Sequence, residues 1–180
     1  MERRDFLQSL VGGSLIFFVP ARLSAQVYRF APVALKSLGH INGPRFLDGR
    51  THNGTVGLAP ELTKTYSGTK WSFVRASEGV FVLKCLGLVE GPRWLDGRTH
   101  NGTVGLASQT AKPFTGTRWQ LVQADQNNLN IVRFKCLGDL EGPRWLDGRT
   151  HNGTVGLAAR TDPPFTGTKW EIQPYPVITD

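Results

Sequence analysis

Aspartate, arginine and histidine recur at fixed spacing in three segments of the chain. In the second segment they are Asp96, Arg98 and His100, with Trp94 before them and Asn101 after them. A carboxylate, a guanidinium and an imidazole can hydrogen-bond sugar hydroxyls, while an aromatic ring stacks on the apolar face of a pyranose. The candidate ligand-binding residues are Phe46, Asp48, Arg50, His52 and Asn53; Trp94, Asp96, Arg98, His100 and Asn101; and Trp145, Asp147, Arg149, His151 and Asn152.

These residues belong to an internal repeat that decides the architecture. Segments 43–59, 91–107 and 142–158 differ at one position, where Phe46 replaces Trp94 and Trp145. An Asn-Gly pair between two β-rich runs predicts a hairpin with a two-residue turn. In the second copy this register places His100 opposite Thr103, and alternation puts it on one side with the tryptophan, the aspartate and the arginine. Leucine and valine fill the other side, which is the expected core face.

Each hairpin lies within a set of four predicted strands. A β-rich run precedes the hairpin, and a fourth strand carrying Trp71, Trp119 or Trp170 follows it. We expect these three tryptophans in the core. The predicted repeats cover residues 33–78, 79–127 and 128–175. Phe114, Phe165 and Tyr66 lie in loops, where a packing role is favoured.

Three four-stranded units, the Leu-Asp-Gly hairpins and a tryptophan in each fourth strand resemble the β-trefoil superfamily of ricin-B-type lectins and fascin-like domains. The fourth strands read Thr-Lys-Trp or Thr-Arg-Trp where ricin-type lectins have Gln-x-Trp. The resemblance implies an all-β fold, a β-trefoil with pseudo-three-fold symmetry over residues 26–180. It also implies one sugar site per repeat, and three weak sites would gain by avidity on a polymeric glycan.

Residues 1–25 are similar to a bacterial twin-arginine (Tat) export signal. Arg3-Arg4 precedes a short apolar run, and small residues precede a predicted cut after Ala25. The run is shorter than the roughly 20 apolar residues that span a bilayer, so stable membrane insertion is not expected. The sequence therefore predicts an exported protein, periplasmic or extracellular.

Charge and cysteine content narrow the function classes further. The net charge is +7, but basic residues are dispersed among acidic ones, which disfavours nucleic-acid binding. Cys85 and Cys136 occupy equivalent places in two repeats, and Ser37 occupies the third. Because a disulfide needs Cα atoms within about 7 Å, equivalent positions on separate repeats favour two buried free thiols.

Catalysis, cofactors and metals are not expected. The sequence has no Gly-x-Ser-x-Gly elbow, His-Glu-x-x-His or glycine-rich phosphate loop. No serine or cysteine nucleophile recurs beside the aspartate and histidine. The three histidines lack a nearby cysteine or carboxylate that would complete a short-spaced metal motif.

The sequence thus predicts a non-catalytic, exported carbohydrate-binding module whose partner is a glycan or polysaccharide. A protein-interaction module remains the alternative, either a trefoil-type protease inhibitor or a fascin-like scaffold, with loop 125–130 as its distinctive loop. A purely structural hairpin is the third alternative. It predicts that aspartate and arginine pair with each other and that Asn-Gly serves only the turn. The sequence does not indicate an oligomeric state.

Overall fold

The computed structural model of the protein describes residues 31–178, so the predicted export signal lies outside the described residues. Twelve β-strands form this region: β1 Val33–Ser37, β2 Phe46–Arg50, β3 Thr55–Ala59, β4 Trp71–Ser77, β5 Val80–Cys85, β6 Trp94–Arg98, β7 Thr103–Ala107, β8 Trp119–Gln123, β9 Ile131–Cys136, β10 Trp145–Arg149, β11 Thr154–Ala158 and β12 Trp170–Pro174. Short 3₁₀ segments precede every fourth strand, at Lys64–Thr69, Thr115–Thr117 and Thr166–Thr168.

All strand pairs are antiparallel, and they form one sheet. Three hairpins pair β2 with β3, β6 with β7 and β10 with β11. Three further pairs join β4 to β5, β8 to β9 and β12 to β1. Following the hydrogen bonds, strands β11, β3, β2, β1, β12, β9, β8, β5, β6 and β7 succeed one another, and β7 returns to β11. Ten strands therefore close on themselves, and β4 and β10 pair alongside them.

This pairing confirms the all-β class and corrects the predicted architecture. The expectation of a β-trefoil made of three four-stranded repeats is wrong, because the structure is one twelve-stranded sheet closed through ten strands. The fourth strand of each predicted repeat pairs with the first strand of the next one. A single repeat therefore cannot satisfy its own backbone hydrogen bonds.

The core is built around three tryptophans, as predicted. Trp71, Trp119 and Trp170 are fully buried. Each indole N–H donates to the carbonyl of a hairpin leucine 24 residues earlier, at 2.9–3.0 Å. Since a buried donor without a partner would be costly, this bond fixes each fourth strand against its own hairpin.

The two cysteines are free and buried, which confirms the expectation. Burial raises the pKa of both thiols to about 11. The Cys85 Sγ lies 3.4 Å from the Gly49 carbonyl oxygen, and the Cys136 Sγ lies 3.4 Å from that of Gly97. Ser37 makes the equivalent contact to Gly148 at 3.3 Å. No helix among residues 31–178 has the length and apolar character needed to cross a membrane.

Candidate functional site

The hairpin turns are longer than the sequence predicts. Arg98, and not His100, is the strand partner of Thr103, so the turn comprises the four residues 99–102. The N–H groups of Asn101 and Gly102 both donate to the Arg98 carbonyl, at 3.2 and 2.9 Å. The two-residue turn is therefore wrong, and the histidine lies in the turn. Because the register moves by two, the tryptophan, the aspartate and the arginine still share one side.

A threonine explains why each turn is lengthened. Thr99 is buried, and its hydroxyl donates to the Leu140 carbonyl at 2.7 Å. Thr51 donates equivalently to Val89 at 2.6 Å, and Thr150 donates to Ile41 at 2.6 Å. Each turn thus docks on the loop that precedes another hairpin. We call these three junctions seam 1 (turn 51–54 on loop 87–91), seam 2 (turn 99–102 on loop 138–142) and seam 3 (turn 150–153 on loop 39–43).

Arginine side chains fix the loops of the seams. The Arg45 Nη1 donates to the carbonyls of Ser37 and Gly39, and its Nη2 donates to that of Ile41 at 3.1 Å. Arg93 and Arg144 bind loops 87–91 and 138–142 in the same way. The loop backbone is therefore rigid, and it holds the Ile41 side chain outward with 57% of its surface exposed.

A cleft of about 260 Å³ lies at seam 3. Asp147, Arg149 and His151 line one side of it, and Phe165 and Ile41 provide its apolar surface. Of the predicted ligand-binding residues, this cleft brings together the aspartate, the arginine and the histidine of the third copy. The corresponding residues at seams 1 and 2 are Asp48, Arg50, His52, Tyr66 and Val89, and Asp96, Arg98, His100, Phe114 and Leu140.

The aspartates are more buried than the predicted open shelf implies. Asp147 is 5% exposed, and burial raises its pKa above 3.8, against a smaller lowering by the neighbouring Arg149. Burial likewise raises the pKa of Asp48 and of Asp96. Burial therefore favours the protonated form of each carboxyl, and the neighbouring arginine favours the ionised form.

Each aspartate pairs with the arginine of its own strand. The Nε–Oδ2 distances are 3.5 Å for Arg50–Asp48, 3.8 Å for Arg98–Asp96 and 3.7 Å for Arg149–Asp147. This pairing agrees with the structural alternative for these two residues. The contact is long and uses Nε, and 44–48% of each arginine side chain stays exposed. A guanidinium held in this way still has donors on its Nη atoms.

The tryptophans of the hairpins lie elsewhere. Trp145 does not line the seam 3 cleft; the Lys135 ammonium lies 5.8 Å from its ring centroid. Lys84 lies over Trp94 in the same way, at 5.5 Å. Phe46 is the strand partner of Lys36. The expected stacking of sugar on these rings beside the aspartate is therefore not what the seam 3 cleft offers.

The asparagines serve the turns. The Asn101 Oδ1 accepts the N–H and the hydroxyl of Thr103, at 3.0 and 2.7 Å. Asn53 and Asn152 make the same two bonds to Thr55 and Thr154. Self-bonding of this kind is the usual turn chemistry of asparagine. It occupies the oxygen that a ligand would otherwise use.

The turns meet at one end of the sheet. The Gly54, Gly102 and Gly153 carbonyls accept the N–H groups of Leu106, Leu157 and Leu58, each at 2.8 Å. The histidines within these turns are exposed. No group of three or more histidine, cysteine, aspartate or glutamate side chains within residues 31–178 is arranged to hold a metal ion.

Sequence reasoning missed the apolar residues of the cleft. The sequence favours a packing role for Phe165, and it does not predict a role for Ile41. One signal could have indicated Ile41: an aliphatic residue, Ile41, Val89 or Leu140, recurs two residues before each Gly-Pro-Arg. Their exposures of 53–57% are also close to one another.

The loop considered for protease inhibition folds back on itself. The Gln123 side-chain amide donates to the carbonyls of Asp125, Asn128 and Ile131, at 2.8–3.0 Å. The Asp125 carboxylate accepts the Asn127 N–H at 2.8 Å. These bonds hold the loop against the end of β8.

The geometry defines an all-β protein with a closed sheet and a small cleft at the junction of two repeats. No protein-family model matches the chain, and a comparison with curated proteins gives no match. Among solved structures, the chain is similar to "GlcNAc[alpha]1-4Gal releasing endo-[beta]-galactosidase from Clostridium perfringens", with a TM-score of 0.60 and 17% identity. The likeness covers 80% of this chain and 32% of that one, and it concerns the fold.

This likeness corrects two further expectations. The matched structure is an endo-β-galactosidase and not a ricin-B-type lectin or fascin-like domain, which contradicts the resemblance drawn from the hairpins. It is also an enzyme, which contradicts the expectation of a non-catalytic protein. At 17% identity, the likeness shows the fold alone.

Proposed function

We propose that the protein binds carbohydrate at the seams, with the cleft at seam 3 as the best-formed site. One observation carries this proposal: Asp147, Arg149 and His151 converge with Phe165 in a cleft of about 260 Å³. An acceptor, a donor and an imidazole beside an aromatic ring provide the contacts that fix the orientation of a sugar ring.

The apolar residues suit the C–H face of a pyranose. Phe165 provides the aromatic surface, and Ile41 extends it from the loop on the far side of the seam. An exposed aliphatic side chain held by a rigid loop loses little conformational freedom when a ligand covers it. Ligand-binding clefts are typically 300–1,000 Å³, so one sugar residue of a longer chain is the expected occupant.

The fold agrees with a glycan ligand. The matched endo-β-galactosidase carries a similar fold, and its name states that it acts on a galactose-containing glycan. We extend to this chain only the class of ligand. Export of residues 26–180, as the sequence predicts, would bring the protein to extracellular glycans, and this location is part of the proposal.

The other seams extend the proposal to a polymeric ligand. Seams 1 and 2 carry the same aspartate, arginine, threonine and histidine, with Tyr66 and Phe114 in the place of Phe165. Weak sites on one rigid body gain affinity for a repeating ligand without any new contact.

The test is binding to a panel of immobilised neutral polysaccharides, measured for the full chain and for variant Arg50→Ala/Arg98→Ala/Arg149→Ala. We expect the triple variant to lose at least about tenfold in affinity, because each site loses a charged donor. The matched control is Arg160→Ala, an exposed arginine whose ion pair with Asp162 lies outside the cleft.

Release of soluble sugar is measured in the same incubations. Release that disappears in variant Asp48→Asn/Asp96→Asn/Asp147→Asn would add hydrolysis to the proposed binding. Equal binding by the parent and the arginine variant, with both proteins folded, would remove the seams as sites. No binding by the parent to any member of the panel would overturn the proposal.

A further inference from the structure

A second cleft, of about 220 Å³, lies beside the 3₁₀ segment Thr115–Thr117 near seam 2. Its lining comprises Thr110, Lys112, Thr115, Arg118 and Asp139. Thr115 is the counterpart of Thr166, which lines the seam 3 cleft, and Leu140 follows Asp139 directly. The second cleft therefore adjoins the carbohydrate-binding surface proposed at seam 2.

The charged groups of this cleft have no ionic partners. Among residues 31–178, Lys112, Arg118 and Asp139 form no ion pair. Thr115 accepts the Asp139 N–H at 3.2 Å, which holds the loop beside the two cations. Two cations and one carboxylate leave the cleft with an excess positive charge.

The other seams do not offer the same pair of cations. At seam 3 the counterpart of Lys112 is Pro163, so Lys169 is the single cation at these two positions. At seam 1 the counterparts of Lys112 and Arg118 are Lys64 and Lys70, so the guanidinium is missing, and Leu88 stands in the place of Asp139. The Lys70 ammonium lies 5.5 Å from the ring centroid of Tyr175. Three repeats that are nearly identical in their hairpins thus differ here.

We propose that this cleft is a subsite for an anionic substituent of a glycan, either a uronic-acid carboxylate or a sulfate ester. Arg118 and Lys112 pair with the anion, because an arginine guanidinium matches two acceptor oxygens and a lysine adds a point charge. Asp139 accepts a hydroxyl of the same sugar, and the two threonines add neutral hydrogen bonds. The inference rests on the proposed function, since the adjoining residues of seam 2 bind the next sugar along the chain.

The test uses three immobilised polysaccharides: a neutral galactan, a sulfated galactan and polygalacturonate. For the full chain we expect tighter binding to one or both acidic polymers than to the neutral one. Variant Lys112→Ala/Arg118→Ala is expected to lose this gain, about tenfold, and to keep its affinity for the neutral galactan. The two acidic polymers show whether the anion is a sulfate ester or a carboxylate.

A charge-matched control separates a local site from general attraction to a basic protein. Arg160→Ala/Lys169→Ala also removes two positive charges, and Lys169 is the counterpart of Arg118. We expect this variant to bind the acidic polymers within about twofold of the full chain. An equal loss in both variants, or no loss in the first one, overturns the subsite.

The outcomes also separate this inference from the proposed function. Binding to neutral galactan with no preference for acidic polymers keeps the seams and overturns the subsite. Binding to acidic polymers alone, lost in Lys112→Ala/Arg118→Ala, keeps the subsite and counts against the neutral cleft. No binding to any of the three polymers overturns the subsite together with its premise.

Discussion

At the scale of single residues, the buried aspartates combine two opposing effects. Asp147 lies 5% exposed beside an arginine that is half in solvent. Burial is the larger influence on its pKa, and it favours the neutral acid. Ionising this aspartate costs free energy, yet all three hairpins carry it, so we expect it to have a role other than stabilising the fold.

The stability of the fold should therefore fall as the aspartates ionise. Their folded pKa values lie above 3.8, so the folded state holds protons that the unfolded state has released. The stabilisation is complete below pH 3.8 and is lost as the pH rises through the folded pKa. We expect Asp147→Asn to reduce this loss, measured as the free energy of unfolding in urea at pH 3 and at pH 7.

Asp162→Asn is the control for this measurement, because Asp162 is exposed. A larger loss of stability between pH 3 and pH 7 in Asp147→Asn than in the parent would contradict the burial argument.

Asn101 provides a second prediction at this scale. Its side-chain oxygen accepts two bonds from Thr103, so Asn101→Ala should lower the free energy of unfolding by about 1 kcal/mol. Asn101→Asp keeps the oxygen that accepts both bonds and should retain most of the stability. Glycan binding that falls while stability is unchanged would instead restore the ligand role predicted from the sequence.

At the scale of elements, each hairpin packs on a fourth-strand tryptophan and on the first strand of a neighbouring repeat. A Cβ at Gly97 would lie 2.8 Å from the Cys136 Sγ and 3.0 Å from the Trp119 ring. Strand β6 approaches both groups so closely that only hydrogen fits. The glycine of each Leu-Asp-Gly segment is thus a packing requirement.

We expect Gly97→Ala to destabilise the protein by about 1–3 kcal/mol through overpacking. Removing the sulfur should return part of this loss, so the double variant Gly97→Ala/Cys136→Ala should be more stable than the sum of the single effects predicts. Urea unfolding of the four proteins measures the coupling. Strict additivity would show that the strand shifts away from the cysteine.

The elements also show what the sequence can and cannot predict. Strand β8 and the core position of Trp119 follow from local pattern, because a large apolar residue in a short β-run has few other places. The turn 99–102 was misjudged because Thr99 bonds to Leu140, a residue 41 positions away. Likewise, Phe165 reaches the cleft only because its loop folds beside a neighbouring hairpin, which local pattern does not encode.

At the scale of the whole molecule, the last strand closes the structure onto the first. β12 pairs with β1 over five residues, and the Tyr175 N–H donates to the Pro32 carbonyl at 2.9 Å. Repeats were evident in the sequence, but their pairing across boundaries was not, since an internal repeat gives no register between copies. The predicted β-trefoil with three four-stranded repeats is wrong for that reason.

This closure predicts that the chain tolerates circular permutation. A variant with its ends joined by a short Gly/Ser linker and new termini between Asn127 and Asn128 should keep cooperative unfolding, because that loop is exposed and bonds mainly to itself. New termini between Leu88 and Val89 cut a loop held by Thr51 and Arg93, and should be clearly less stable. Thermal unfolding compares the two, and the reverse order would contradict the role of the seams.

The two buried thiols can report local opening of the structure through their alkylation rates. With a pKa of about 11, each is roughly 0.1% thiolate at pH 8 and is closed to reagent while the sheet is intact. Alkylation of Cys85 then reports how often the structure opens at seam 1, and alkylation of Cys136 reports how often it opens at seam 2. Ser37 leaves the third junction silent. The alkylation rate of each cysteine, compared with and without bound polysaccharide, would show which of these two seams the ligand keeps closed. The experiment needs no added reporter group.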